Sequence, residues 1–370
     1  MTGALQVLPF RVLNVGYLFF KLILTTFNFC NNKLKPSIDS IFNIKTSVQF
    51  KQMALAVFNY QFSENEVYQN YIKALKINPD RITELEQIPF IPIEFFKTYK
   101  VISGSKNNDQ PEETNIKPVG DSRLFTSSGS IQSKHFVIDT EVYEISYRNG
   151  FELFYGNIEE YCVLALLPSY LEREGSSLIY MAEDLIKRSK HSSSGFYLHN
   201  YDELILKLEQ LESQKQKTIL LGVTYALLDL IEKQKFQLKH TIIMETGGMK
   251  GKRNEMVREE LHNFLCGGFG VDSIHSEYGM TELLSQAYSK GDGIFNCPPW
   301  MKILIRDTND PFSFLTQKKT GGINIIDLAN INSCSFIAAQ DLGKLYPDGS
   351  FEVLGRFDNS DIRGCNLMVE

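Results

Sequence analysis

The chain is poor in the residues that build metal centres and disulfide frameworks. Its 370 residues include 6 histidines and 6 cysteines. No two histidines stand four apart and neither HExxH nor CxxC occurs. Cys30, Cys162, Cys266, Cys297, Cys334 and Cys365 are scattered along the chain. Zinc-ligand spacing and the dense cysteine pattern of small secreted domains are both missing, so the expectation is a cytoplasmic protein with reduced thiols. Positive charge is also in deficit, 38 Lys and Arg against 44 Asp and Glu, net -6. That is the wrong sign for a protein whose main partner is a phosphate backbone, so nucleic acid is not an expected partner. A long uninterrupted apolar run is lacking too. The most apolar stretch, residues 4–30, is broken by Pro9, Arg11 and Lys21, whereas a spanning helix needs about 20 largely uncharged residues and a secretory signal a basic start and a small-residue cleavage site. Residues 1–37 are read as a loosely attached helix or an extension outside the folded unit, with a membrane anchor as the alternative.

What is present is the composition of a globular protein, 43% apolar and 22% charged, long enough for two or three domains. Residues 38–122 read as a helical N-terminal part. Phe50, Met53, Ala54, Val57 and Phe58 recur at helical spacing, and Ser63 with Glu66 reads as a capping box opening a second helix through Val67, Tyr71 and Leu75. The prolines of IPFIPIEFF (88–96) block regular helix and predict an extended crossing segment. Residues 106–121 are polar and read as an exposed loop.

Residues 123–302 alternate short apolar runs with helical ones. Strands are expected at 162–167, 218–221 and 241–244, and helices at 176–188, 202–216, 225–233 and 252–265. This is the pattern of a parallel sheet covered on both faces, which binds ligands at the carboxyl ends of its strands. From about 303 the chain turns to short strands with glycine turns, so 303–370 read as a small β subdomain with a tail.

Four segments carry chemistry. Thr126, Ser127, Ser128, Gly129 and Ser130, closed by Lys134, lie between two apolar runs. Hydroxyls, backbone N–H groups and a cation are what a polyphosphate needs, although the pattern is not a Walker A loop and a serine-rich hairpin turn explains it equally well. Gly247 and Gly248 follow an expected strand and would let a base or ribose lie against the backbone; an ordinary strand-to-helix turn is the alternative. In His275-Ser276-Glu277-Tyr278-Gly279-Met280-Thr281-Glu282, a tyrosine can stack on a base and Thr281 with Glu282 offers hard oxygen ligands for Mg²⁺. Last come Gln340-Asp341-Leu342-Gly343 and Gly355-Arg356-Phe357-Asp358, an aspartate able to chelate ribose hydroxyls and an arginine fork.

In this order and spacing the segments resemble the adenylate-forming superfamily of acyl ligases. More narrowly, LPSYLEREGSSLIYM (167–181), METGGMKGKR (244–253), HSEYGMTELLSQAY (275–288) and DNSDIRGCNLMVE (358–370) resemble the acyl-protein synthetases of bacterial luminescence, the long-chain-fatty-acid luciferin-component ligases. The resemblance covers about residue 38 to the end. It implies an α/β fold with parallel αβα sheet layers, a helical head and a small C-terminal β subdomain, and without the mobile C-terminal domain of the CoA ligases. It implies ATP and Mg²⁺ as cofactors. Thr126 to Ser130 would hold the phosphates, Gly247 and Gly248 would lie by the adenine, and Tyr278, Gly279 and Thr281 would contact the nucleotide. Glu282 would hold Mg²⁺, Asp341 the ribose, and Arg356 would assist. Lys134 would match the superfamily's loop lysine, although Ile131-Gln132-Ser133 stand where the second glycine and the proline are usual. Cys365 occupies the place of the acyl-accepting cysteine. The implied activity is conversion of a fatty or other carboxylic acid to acyl-AMP, then transfer to Cys365 and on to a partner such as an acyl reductase or carrier protein. A CoA or carrier-protein ligase lacking its own C-terminal domain, and an inactive nucleotide- or acyl-binding scaffold, stay open as alternatives.

Overall fold

The computed structural model describes residues 34–104, 122–127, 131–168, 174–247 and 256–357. A short helix α1 (Ile38–Phe42) leads into α2 (Ser47–Glu64) and α3 (Glu66–Ala74). The periodic residues of α2 are buried as their spacing demands, and Thr46 with Gln49 forms a reciprocal capping box at its start. The expected box at Ser63 and Glu66 is not formed. Ser63 lies inside α2 with its hydroxyl on the Tyr60 carbonyl. Asn65 breaks the two helices instead, accepting from Tyr68 N at 3.0 Å while its amide donates to Ser333 O at 2.9 Å. That second bond spans 268 residues, and a local pattern does not reveal it.

The proline-rich segment is extended at β1 (Ile91–Pro92), but its end, where extended chain was expected, forms a helical turn α4 (Phe95–Thr98). Next comes a two-stranded hairpin, β2 (Arg123–Thr126) and β3 (Lys134–Val137), then α5 (Thr140–Tyr155). The α/β part follows as β4 (Cys162–Leu166), α6 (Ser177–Ser189), β5 (Gly195–Tyr197), α7 (Tyr201–Ser213), β6 (Thr218–Val223), α8 (Thr224–Lys233), β7 (Thr241–Thr246), α9 (Arg258–Phe269) and β8 (His275–Tyr278). These five strands are parallel in the order β5-β4-β6-β7-β8. Every residue of β4 and β6 is buried, which is why they read as unbroken apolar runs.

The helix expected at 252–265 sits later, at Arg258–Phe269. Gly267-Gly268 resembles a stop signal but lies within the helix, because Gly268 packs against α8: a Cβ there would be 2.5 Å from Ile231 Cδ1. The helix ends at Gly270, whose φ of +67° is the left-handed cap that glycine adopts readily.

Antiparallel strands then extend the same sheet: β9 (Ala287–Ser289), β10 (Ile294–Asn296), β11 (Met301–Arg306), β12 (Thr320–Asp327), β13 (Phe336–Leu345) and β14 (Phe351–Arg356). The order runs β11-β12-β13-β14-β10-β9-β8, with β1 parallel to β13 off this path. The helical head packs on the antiparallel half, where Tyr68 stacks on Phe336 at 6.1 Å and Phe58 meets it edge-on at 6.2 Å. One apolar core therefore runs from the head into the parallel strands. Among the described residues, no helix is long and apolar enough to cross a membrane.

Candidate functional site

The site is built where β8 leaves the parallel sheet and β13 and β14 come alongside. Tyr278, the last residue of β8, is buried and donates its hydroxyl to Asp341 Oδ2 at 2.8 Å. Asp341 on β13 is the cross-strand partner of Arg356 on β14, whose Nε donates to Asp341 Oδ1 at 3.2 Å. Phe295 and Phe351 wall the Tyr278 ring at 5.9 and 5.7 Å. Burial pushes the Tyr278 phenol well above its ordinary range, and the neighbouring Asp341 charge adds to it, so the hydroxyl stays a donor. Three residues from widely separated segments thus form one hydrogen-bonded chain.

The hairpin reaches this corner from another side. Thr126 and Lys134 are its last paired residues, and Ser127 closes the turn by accepting Ser133 N on Oγ at 2.8 Å and donating its own N to Ser133 O at 3.1 Å. Thr126 N also bonds to Gly175 O at 2.8 Å. Lys134 opens β3 and is exposed. His135, wholly buried beside it, joins the hairpin to the segment after Tyr278: its Nδ1 lies 2.8 Å from Thr281 O. A carbonyl accepts, so Nδ1 carries a proton, and burial, which lowers the pKa to about 4, disfavours a second one on Nε2.

Glu282 follows in the same turn, 4% exposed. Burial raises its pKa, while a hydrogen bond from Ser133 and the charges of Arg356 and Lys97 oppose the rise. A buried carboxylate beside the Ser133 hydroxyl suits Mg²⁺, which keeps waters and phosphate oxygens as its other ligands and needs no dedicated protein cage. Among the described residues there is no group of three or more His, Cys, Asp or Glu able to hold a metal ion.

Gly247, at φ +68°, directly follows β7, and its carbonyl is 3.5 Å from Thr224 Oγ1. One register position back, Thr246 pairs with Glu277 and donates its hydroxyl to Glu277 Oε2 at 2.5 Å. Gly279 gives that carboxylate room, since a Cβ there would be 2.5 Å from Glu277 Oε1. Glu277 faces a small apolar cavity with Phe151, Val163, Met181, Met244 and Tyr288 among its lining residues. Burial raises its pKa to about 7; the Thr246 bond opposes this and the charge of Glu245 adds to it. Its neighbour Glu245 is held at about 2. Burial favours the neutral acid there, but His262, Arg258 at 2.6 Å and the Ser276 hydroxyl at 2.8 Å outweigh it.

Of the residues singled out in the sequence, Tyr278, Asp341 and Arg356 are in direct contact. Thr281 and Glu282 follow in the turn after β8, while Thr126, Ser127 and Lys134 lie on the hairpin, whose contacts with that turn are made by His135 and Ser133. Gly247 directly follows the strand beside β8, and Gly279 continues from Tyr278. Ser128, Gly129, Ser130, Gly248 and Cys365 lie outside the described residues. Sequence reasoning missed His135, Ser133, Glu277 and the anchors of the Glu282 turn. Only the position of His135, directly after Lys134, offered a signal.

No family model and no curated protein matches the sequence. Solved structures do. A 2-hydroxyisobutyryl-CoA ligase in an open conformation, in complex with 2-HIB-AMP and CoA, aligns over 89% of this chain and 75% of its own at a TM-score of 0.60 and 11% identity. The same enzyme in the postadenylation state aligns at 0.59. The chain has the adenylate-forming enzyme fold. ATP-bound MatB from Rhodopseudomonas palustris matches at 0.47 and 16% identity, over 63% of this chain and 47% of that one, so the chain spans about half of MatB.

Proposed function

We propose that this protein activates a carboxylic acid with ATP and passes the acyl group to its own cysteine, as an acyl-protein synthetase. The observation that carries the reading is the convergence of the Tyr278-Asp341-Arg356 chain with the hairpin at the Thr281-Glu282 turn. Each segment alone is ordinary turn or strand chemistry. Taken together, Tyr278, Asp341, Arg356, Glu282 and the paired end of the hairpin support a nucleotide site at the carboxyl end of the parallel sheet.

In this reading Asp341 takes the ribose hydroxyls on the lone pairs that Tyr278 and Arg356 leave free. The hairpin hydroxyls and Lys134 orient the phosphates, and Gly247 and Gly248 flank the base. Mg²⁺ at Glu282 would neutralise charge on the departing pyrophosphate. A carboxylate oxygen attacks the α-phosphorus, the bond from that phosphorus to the bridging oxygen breaks, and pyrophosphate leaves, giving acyl-AMP. The Cys365 thiolate then attacks the acyl carbonyl and AMP leaves, giving a thioester. The acid is proposed to be a fatty acid on the strength of the sequence resemblance. The thioester would serve a partner protein such as an acyl reductase or a carrier.

The test is acid-dependent ATP–pyrophosphate exchange over a panel of carboxylic acids, with intact mass of the protein after incubation with ATP, Mg²⁺ and each acid. Exchange plus a hydroxylamine-sensitive adduct that disappears in Cys365→Ser is the expected result. Exchange with label appearing only on added CoA would replace the acyl-protein step by a CoA ligase. No exchange with any acid would leave a nucleotide-binding scaffold.

A further inference from the structure

The turn carrying Glu282 is fixed by side chains that belong to none of the four segments. Asp327, wholly buried at the end of β12, accepts Leu284 N at 2.8 Å and Ser285 N at 3.0 Å on Oδ2. Its Oδ1 accepts the Ser285 hydroxyl at 2.6 Å and Ala329 N at 3.1 Å. Asn330, in the 3-10 segment Leu328–Asn332, donates Nδ2 to the carbonyl of Glu282 itself at 2.7 Å. The helical head steadies Asn330 in turn, with Gln61 Nε2 donating to Asn330 O at 2.9 Å and Ile331 O at 3.1 Å.

Capping the 3-10 segment needs only the bond to Ala329. Three of the four bonds to Asp327 go instead to residues 284 and 285 in the connection between β8 and β9, two and three positions beyond Glu282. With His135 on the Thr281 carbonyl, the backbone is tied immediately before, at and just after Glu282. Metal coordination tolerates only about 0.2 Å in ligand distance, and a misplacement of about 1 Å can cost about 100-fold in catalysis. Such a frame around one acid is what a metal ligand requires.

We infer that Asp327 and Asn330 are positioning residues that set the Glu282 carboxylate for a divalent cation. The inference deepens the acid-activation reading and rests on it. ATP binding is measured as a function of Mg²⁺ concentration for the full chain, Asp327→Asn and Asn330→Ala, beside the melting temperature of each. Half-saturating Mg²⁺ is expected to rise at least tenfold in both variants, while ATP affinity without Mg²⁺ stays within twofold of the unmodified chain. A purely structural role would lower the melting temperature and leave the Mg²⁺ dependence unmoved, and that result overturns the inference while acid activation stands. Should Asp327→Asn fail to fold, Asn330→Ala decides alone, since it removes a single donor. If the unmodified chain binds no ATP at any Mg²⁺ concentration, the activation reading falls and takes the inference with it.

Discussion

Glu277 makes stability depend on pH in a way that one substitution isolates. Its carboxyl is buried with an ordinary value of 4.5 raised to about 7, so the folded chain holds a proton that the unfolded chain releases. A raised acid contributes stability that is fully present below 4.5 and is lost as pH rises to about 7. At about 1.4 kcal/mol per unit the loss is about 3 kcal/mol, a large share of a typical folding free energy. His135 works in the opposite sense: with its pKa lowered to about 4, its contribution is present above 6.5 and lost as pH falls toward 4. The two nearly cancel between 4.5 and 6.5. The total curve is therefore a poor test, and the difference between variants is the informative quantity. Glu277→Gln is close to isosteric with the neutral acid, and the Thr246 hydroxyl can go on donating to its oxygen. Urea denaturation followed by the emission of the chain's one tryptophan, Trp300, gives stability from pH 4.5 to 8. The variant is expected to match the unmodified chain at pH 4.5 and to exceed it by about 3 kcal/mol at pH 8. A flat difference across that range would show that Glu277 is solvated or paired, and the account of its burial would be wrong.

Two further substitutions test packing and the site. Gly268→Ala would place a Cβ against Ile231 and should cost about 1–3 kcal/mol by overpacking, whereas Gly267→Ala, with nothing within 4 Å, should gain up to about 1 kcal/mol; melting temperatures of the pair check the sign of each. Asp341→Ala should weaken ATP binding about tenfold or more, since a hydrogen bond to a charged group is worth about 1.5–3 kcal/mol. Calorimetric titration with Mg·ATP reads this, and unchanged affinity would remove Asp341 from the site.

The parallel strands were legible because burial on both faces leaves an uninterrupted apolar run, as in Cys162–Leu166 and Thr218–Val223. The segment around Tyr278 stood out through its resemblance to a known family, not through any local rule of burial or periodicity. The helix break at Asn65 depends on Ser333, and the extension of the Arg258–Phe269 helix through two glycines depends on Ile231. The same holds for the site. His135 is 146 residues from Thr281 and Asp327 is 43 from Leu284. A histidine in a strand and an aspartate at a strand end carry no local mark of what they will hold. Periodicity reports which face of an element is buried, and only the assembled sheet reports what that face meets.

The charge around the corner sets the last expectation. Glu282 and Asp341 are both buried there, and the charges of Arg356 and Lys97 oppose the effect of burial on Glu282. A triphosphate brings further negative charge toward two carboxylates, a like-charge arrangement costing several kcal/mol wherever water is excluded. Metal-free ATP should therefore bind poorly, and Mg²⁺ between Glu282 and the phosphates reverses the sign of the interaction. Because burial raises the Glu282 pKa above its ordinary 4.5, protons compete with Mg²⁺ over a higher pH range than they would at an exposed glutamate. Half-saturating Mg²⁺ should fall as pH rises through the weakly acid range, and in Glu282→Gln both the pH effect and most of the Mg²⁺ effect should vanish. Equal affinity for ATP with and without Mg²⁺ would mean that Glu282 faces no phosphate, and the nucleotide would have to lie elsewhere along the sheet.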